Sequence, residues 1–253
     1  MNLTLKIWRQ QSANAPGKFV EYQIRDVTPE MSFLEMLDAL NEDLLSKEEP
    51  PVAFEHDCRE GICGSCGFLI NGVAHGGQPR TTVCQLSMRF FKDGDSLILE
   101  PWRAHAFPLV RDLIVDRSRM FDHLRRVHAW VELDGTYDLG PGPRMDQDDV
   151  MERYAYSRCM TCGCCLEACP QYEDDHYIGP QAIAQVRLFN MHPSGMMNRD
   201  DRLAGIMQED GITNCGNAQN CVKACPMNIP LTRAIYEENR ETVLHGLLGW
   251  LKG

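Results

Sequence analysis

Hydrophobic and polar positions alternate at the start of the chain. Leu3, Leu5 and Ile7 are interleaved with Thr4, Lys6 and Trp8, a period of two that predicts a strand with one buried face. Residues 19–24 predict a second strand. From residue 32 the period lengthens: Phe33, Leu37, Leu40 and Leu44 line one face of a helix, and Ser32 with Glu35 forms a capping box at its start. Residues 52–54 predict a short strand. Phe68-Leu69-Ile70-Asn71-Gly72-Val73 predicts a hairpin with an Asn-Gly turn, and residues 81–83 and 97–99 the strands that close the sheet.

Beyond Pro101 the pattern becomes helical. Residues 109–127 carry a helical period through Leu109, Leu113, Met120, Leu124 and Val127. A Gly/Pro-rich loop follows at 135–143, then helices over 147–156, 181–190, 203–207 and from 230 to the end. These elements predict an α+β chain with a mixed first domain, residues 1–105, and a helical second domain, residues 106–253.

Composition narrows the function. The chain has 253 residues, 43% hydrophobic, enough to bury a core, and a net charge of −11. That acidity argues against nucleic acid as a partner and against a basic membrane-surface helix. No secretory signal or transit-peptide pattern opens the chain, and no window approaches the 18 apolar residues of a membrane span. A chain expected to stay in a reducing compartment does not use twelve cysteines for disulfides, so metal ligation is the better account.

Eleven of the twelve cysteines fall into three spaced groups. The first is Cys58-x4-Cys63-x2-Cys66 with Cys84 further on, the spacing of plant-type [2Fe–2S] ligands. Its glycines allow a tight wrap whose amides can face the sulfurs. The second is Cys159-x2-Cys162-x2-Cys165-x3-Cys169-Pro170, the bacterial ferredoxin run, in which the fourth cysteine serves the other cluster. The third repeats that frame as Cys215, Ala218, Cys221, Cys225 and Pro226, with one thiolate missing. Crosswise sharing assigns Cys159, Cys162, Cys165 and Cys225 to a [4Fe–4S] cluster. It leaves Cys169, Cys215 and Cys221 with an iron corner at Ala218 that has no ligand, which predicts [3Fe–4S]. Cys164 breaks the frame and reads as a buried thiol beside the cluster. The alternative from another class is a zinc-stabilised scaffold, which would normally pair two C-x2-C knuckles.

The chain resembles the iron–sulfur subunit of succinate dehydrogenase and fumarate reductase. Three features carry the resemblance: the Cys58-Arg59-Glu60-Gly61-Ile62-Cys63-Gly64-Ser65-Cys66 stretch, the order of the groups, and the spare Cys164. It implies a β-grasp ferredoxin domain, then a helical ferredoxin domain, a flavoprotein partner with covalent FAD, and a hydrophobic membrane anchor. Electrons would pass from FAD through [2Fe–2S], [4Fe–4S] and [3Fe–4S] to quinone, in the tricarboxylic acid cycle and respiratory chain. The dicarboxylate would not touch this chain. The implied location is peripheral, on the cytoplasmic face of a bacterial inner membrane. Fumarate reductase, running the relay in reverse, is the alternative. Better-known members place Ser and paired Trp after the Cys-Pro, and His after the first [3Fe–4S] cysteine. Here Gln171-Tyr172-Glu173-Asp174 follows Pro170, and Gly216 follows Cys215. Only Pro170 is carried over as a quinone contact, and the departure resembles menaquinone-linked members.

His56, His75, His105, His123 and His128 lack ligand spacing and read as core or surface residues; His192 is a candidate for an anchor interface. Val243, Leu244, Leu247, Leu248 and Leu251 read either as internal packing or as an anchor-docking face.

Overall fold

The computed structural model describes residues 1–132, 143–173 and 176–252, with the side chains of 249–252 excepted. The first half of the chain forms β1 (Leu3–Arg9), β2 (Lys18–Ile24), α1 (Phe33–Ser46), β3 (Leu69–Ile70), β4 (Val73–Ala74), β5 (Ser96–Glu100), β6 (Leu109–Arg111) and β7 (Ile114–Val115). It continues as α2 (Ser118–Arg126), α3 (Gln147–Ser157), α4 (Cys164–Glu167), α5 (Pro180–Asn190), α6 (Arg199–Ile206), α7 (Asn220–Ala224) and α8 (Leu231–Lys252). The chain is thus α+β. Two compact units result: unit 1 is Met1–Arg117 with Met160–Glu167, and unit 2 is Ser118–Cys159 with Ala168–Gly253.

In unit 1 a five-stranded sheet runs in the order β2-β1-β5-β3-β4, with β1 parallel to β5 and antiparallel to β2. Leu3, Leu5 and Ile7 of β1 and Leu97 and Leu99 of β5 are buried against Phe33, Met36, Leu37, Leu40 and Leu44 of α1. The capping box forms: Ser32 N–H donates to Glu35 Oε2 at 2.6 Å and Glu35 N–H to Ser32 Oγ at 3.3 Å. Such caps stabilise a helix by ~1 kcal/mol. Asn71 and Gly72 turn between β3 and β4 at φ +52° and +75°, as a two-residue hairpin of this type needs.

Three expected elements differ. Residues 109–127 are not one helix: β6 and β7 form a hairpin, and only then does α2 begin. The buried Asp112 carboxylate accepts from Gln10 N–H at 2.8 Å and Ala53 N–H at 3.0 Å, with Arg9 Nε at 3.3 Å. These bonds hold Asp112 at φ +47° and override the local period. Residues 52–54 are not a strand, because the Asn41 side chain takes both the N–H and the carbonyl of Val52. Residues 81–83 give way to a 3-10 turn at Val83–Gln85. The loop expected at 135–143 lies outside the described residues except Pro143.

In unit 2, α5 packs against α2, α3, α6 and α8. Val127, Tyr177, Ile178, Ile183, Val186, Leu203, Ile206 and Ile212 form the core. The buried Arg202 guanidinium donates to the carbonyls of His128 (2.9 Å), Trp130 (2.7 Å) and Gly195, tying segments that have no ladder of their own. On α8, Val243, Leu244, Leu247 and Leu248 are exposed, so internal packing does not account for them. Among the described residues no helix is long and apolar enough to cross a membrane.

Glu238 of α8 is fully buried beside Arg187, Asn190 and, more distantly, Glu241 and Arg199. Burial lifts its carboxyl from 4.5 to about 7, outweighing the pull of Arg187 and Asn190. The folded state therefore holds this proton more tightly than the unfolded one. The stabilisation is complete below 4.5 and is lost as pH rises through about 7. Glu238→Gln should match the parent in thermal unfolding near pH 4.5 and exceed it above pH 7, by up to ~3 kcal/mol at ~1.36 kcal/mol per pKa unit. An offset equal at both pH values would contradict this.

Candidate metal centres

The first cysteine loop lies between α1 and β3. Arg59, Gly61 and Gly64 take φ of +55°, +72° and +75°, winding the backbone so that amides face inward. Side chains brace it from outside. Arg59 pairs with Asp38 of α1, and Gln85 Nε2 donates to the Arg59 carbonyl at 2.8 Å. The Arg117 guanidinium donates to the carbonyls of Gly64 (2.8 Å) and Ser65 and to Glu55 Oε2 (3.1 Å).

Glu60 N–H points at Cys58 Sγ at 3.3 Å. That amide and then the Ile62 amide draw the Cys58 thiol down to about 7, and the Cys63 side chain lies beside it. Cys66 and Cys84 are buried. Burial pushes the Cys66 thiol up to about 12, and the neighbouring Cys84 and Cys63 sulfurs add to the rise. Thr82 Oγ1 sits 3.2 Å from Cys84 Sγ. The four predicted ligands thus gather in one loop system. Amides aimed at sulfur and thiols that repel one another's ionisation suit a group bearing positive metal charge, which reverses that penalty.

Cys162, Cys164 and Cys165 also belong to unit 1 and are buried at the start of α4. Thr161 and Gly163 are left-handed, at φ +58° and +84°. The Cys164 thiol, then the His75 ring, hold the Cys162 thiol well below the ordinary range against the cost of burial. His75, Cys162 and Cys164 place one donor atom each within 4.8 Å of one another. Glu167 anchors this segment by accepting from the backbone N–H groups of Arg103 and Ala104, both at 2.9 Å.

Cys159 and Cys225 lie in unit 2. Cys159 N–H caps α3 on the Tyr156 carbonyl at 3.1 Å, and Ile229 N–H donates to Cys225 Sγ at 3.4 Å. Cys169, Cys215 and Cys221 are brought together in unit 2. They line one shallow hollow with Pro170, Tyr177 and Ala218. Asn217 and Gln219, at φ +53° and +60°, flank Ala218 in its wall. Burial first, and then the Cys169 and Cys215 sulfurs, raise the Cys221 thiol to about 11. Burial likewise raises Cys169. The hollow has three sulfurs and, at the second position of the frame, a methyl group in place of a thiolate, a set that fits a three-iron centre.

Sequence reasoning missed His75, Arg117, Asp38 and Tyr177. Nothing in their spacing marks them, because each reaches a cysteine or its loop only through the fold. His75 stands far from Cys162 along the chain, and Tyr177 reaches Cys215 only in the folded unit.

Residues 4–122 match a family of 2Fe-2S iron-sulfur cluster binding domains, and residues 155–229 a family of 4Fe-4S dicluster domains. The chain is 43% identical over 245 residues to the succinate dehydrogenase iron-sulfur subunit of Bacillus subtilis (94% of this chain, 91% of the relative). It is 30% identical over 246 residues to the fumarate reductase iron-sulfur subunit of Wolinella succinogenes (95% and 97%). Among solved structures, a chain of the Mycobacterium smegmatis Sdh1 complex in the apo form shares the fold, with a TM-score of 0.73, 23% identity and 96% of each chain covered.

Proposed function

Since the chain belongs to the iron–sulfur subunits of succinate dehydrogenase and fumarate reductase, we propose that it carries electrons from succinate oxidation on a flavoprotein subunit to quinone at a membrane anchor. Bound iron–sulfur clusters supply one-electron carriers, and the chain supplies their ligands and surroundings. Cys58, Cys63, Cys66 and Cys84 hold [2Fe–2S]. Cys159, Cys162, Cys165 and Cys225 hold [4Fe–4S], an assignment that rests on their spacing. Cys169, Cys215 and Cys221 hold [3Fe–4S]. The domains are residues 1–105, a β-grasp ferredoxin supported by the β2-β1-β5-β3-β4 order, and residues 106–253, a helical ferredoxin.

The observation that carries the relay is the hollow of unit 2, where three cysteines and Ala218 share one wall. Pro170 lines it too and is the contact proposed for the quinone, of menaquinone type. The exposed apolar residues of α8 fit an anchor held on the cytoplasmic face of a bacterial inner membrane. Fumarate reduction along the same path is the second reading, supported by the Wolinella relative.

An EPR-monitored redox titration of the purified complex, with metal analysis, tests the proposal. Three distinct centres are expected, one of them paramagnetic when oxidised. Removing the iron with a chelator should abolish all three signals and electron transfer to quinone together. A zinc protein without redox signals would overturn the proposal in favour of a scaffold.

A further inference from the structure

Resting on the ligand set proposed above, we infer that His75 is a hydrogen-bond donor locked onto the Cys162 sulfur, and that it raises the reduction potential of the centre Cys162 holds. His75 is only 1% exposed and sits at φ +58°, a left-handed conformation rare for a residue with a side chain. The hairpin end fixes it there, with His75 N–H bonded to the Phe68 carbonyl at 3.2 Å. Val83 N–H donates to His75 Nδ1 at 3.2 Å. An Nδ1 that accepts a hydrogen bond leaves the proton of the neutral imidazole on Nε2.

Nε2 is buried and makes no hydrogen bond of ordinary geometry. Its ring lies in the group with Cys162 and Cys164, edge-on to Trp102 with centroids 5.9 Å apart. An orphaned buried N–H costs ~1–3 kcal/mol unless something accepts it. The thiolate form of Cys162, required for ligation, is such an acceptor. A donor to a ligand sulfur draws charge from the metal and favours the reduced state. No bond breaks in this role. The proton would stay on Nε2, and the N–H dipole would stabilise the negative charge added when the bound centre is reduced. Because Val83 adjoins Cys84, one imidazole ties the loop of the first centre to a ligand of the second.

The test uses the whole complex, titrated by EPR with His75→Phe and His75→Gln. Phe fills the volume without a donor, and Gln restores an N–H near the Nε2 position. His75→Phe should shift the reduced-to-oxidised ratio of the Cys162-held centre about tenfold toward oxidised, ~59 mV downward for one electron. The first centre should move less than the second and the third should not move, and His75→Gln should recover most of the shift of the second. Equal shifts for Phe and Gln, shifts in all three centres, or no shift would overturn the inference. A second measurement needs no variant. In complex labelled with ¹⁵N-histidine, pulsed EPR of the reduced second centre should show one weakly coupled histidine nitrogen and an exchangeable proton; their absence also overturns it. Cys162→Ala, which leaves no donor atom at that position, separates the two layers of argument. If the second centre's signal survives that change, the ligand set fails; if the signal is lost while His75→Phe titrates as wild type, only the role of His75 fails.

Discussion

Ala218→Cys should convert the third centre from three irons to four. Ala218 lines the same hollow as Cys169, Cys215 and Cys221, at the position where the repeated frame puts a cysteine. Substitution there adds a sulfur without asking the backbone to move, since Asn217 and Gln219 already hold the loop in its left-handed turns. The EPR signal of the oxidised three-iron form should disappear, and a signal from a reduced cubane should replace it. The added thiolate brings negative charge to the centre, so the potential should fall. Each ~59 mV of that fall is a tenfold penalty on passing the electron to this centre, and a fall of ~120 mV lowers quinone reduction about a hundredfold if this step limits the rate. Transfer to an artificial acceptor that draws from the earlier centres should change little. An unaltered oxidised signal in a variant with full iron content would contradict the three-ligand count.

The first strand, the capped helix and the Asn-Gly hairpin were legible because each is specified locally. β1 alternates, α1 carries its own cap, and residues 71 and 72 have the chemistry a two-residue turn demands. Residues 109–127 misled because their period is real, yet the decisive partner of Asp112 is the backbone at Gln10 and Ala53, distant in sequence. Residues 52–54 misled for the same reason, through Asn41. The cysteine groups were legible because iron–sulfur ligands follow the reach of a tight loop, and that reach is written in spacing. What surrounds the sulfurs was not. Arg117 holds the carbonyls of Gly64 and Ser65, and His75 and Tyr177 arrive from other segments. Such groups surround the sulfurs, and their positions along the chain carry no regular interval.

Gly64→Ala should damage the second centre although the residue lies in the loop of the first. Gly64 sits at φ +75°, and a Cβ there would fall 2.3 Å from the Met160 carbonyl oxygen and 3.0 Å from Cys162 N and Cα. These are backbone atoms, so no rotamer change relieves the clash. The loop cannot withdraw easily either, because Arg117 holds the Gly64 and Ser65 carbonyls. The Met160–Glu167 segment must therefore shift, carrying Cys162 away from its partners. A left-handed alanine costs ~1–2 kcal/mol and overpacking a further ~1–3 kcal/mol, a large share of the margin of a typical domain. Gly72→Ala is the control. It has the same φ of +75° but nothing within 4 Å, so it meets only the conformational cost. Thermal unfolding should fall for both variants and further for Gly64→Ala. In EPR, only Gly64→Ala should lose or broaden the signal of the Cys162-held centre, with the first centre retained. If the two variants lost stability equally and kept all three signals, the close approach of the first cysteine loop to the Cys162 backbone would not be a constraint on the second centre.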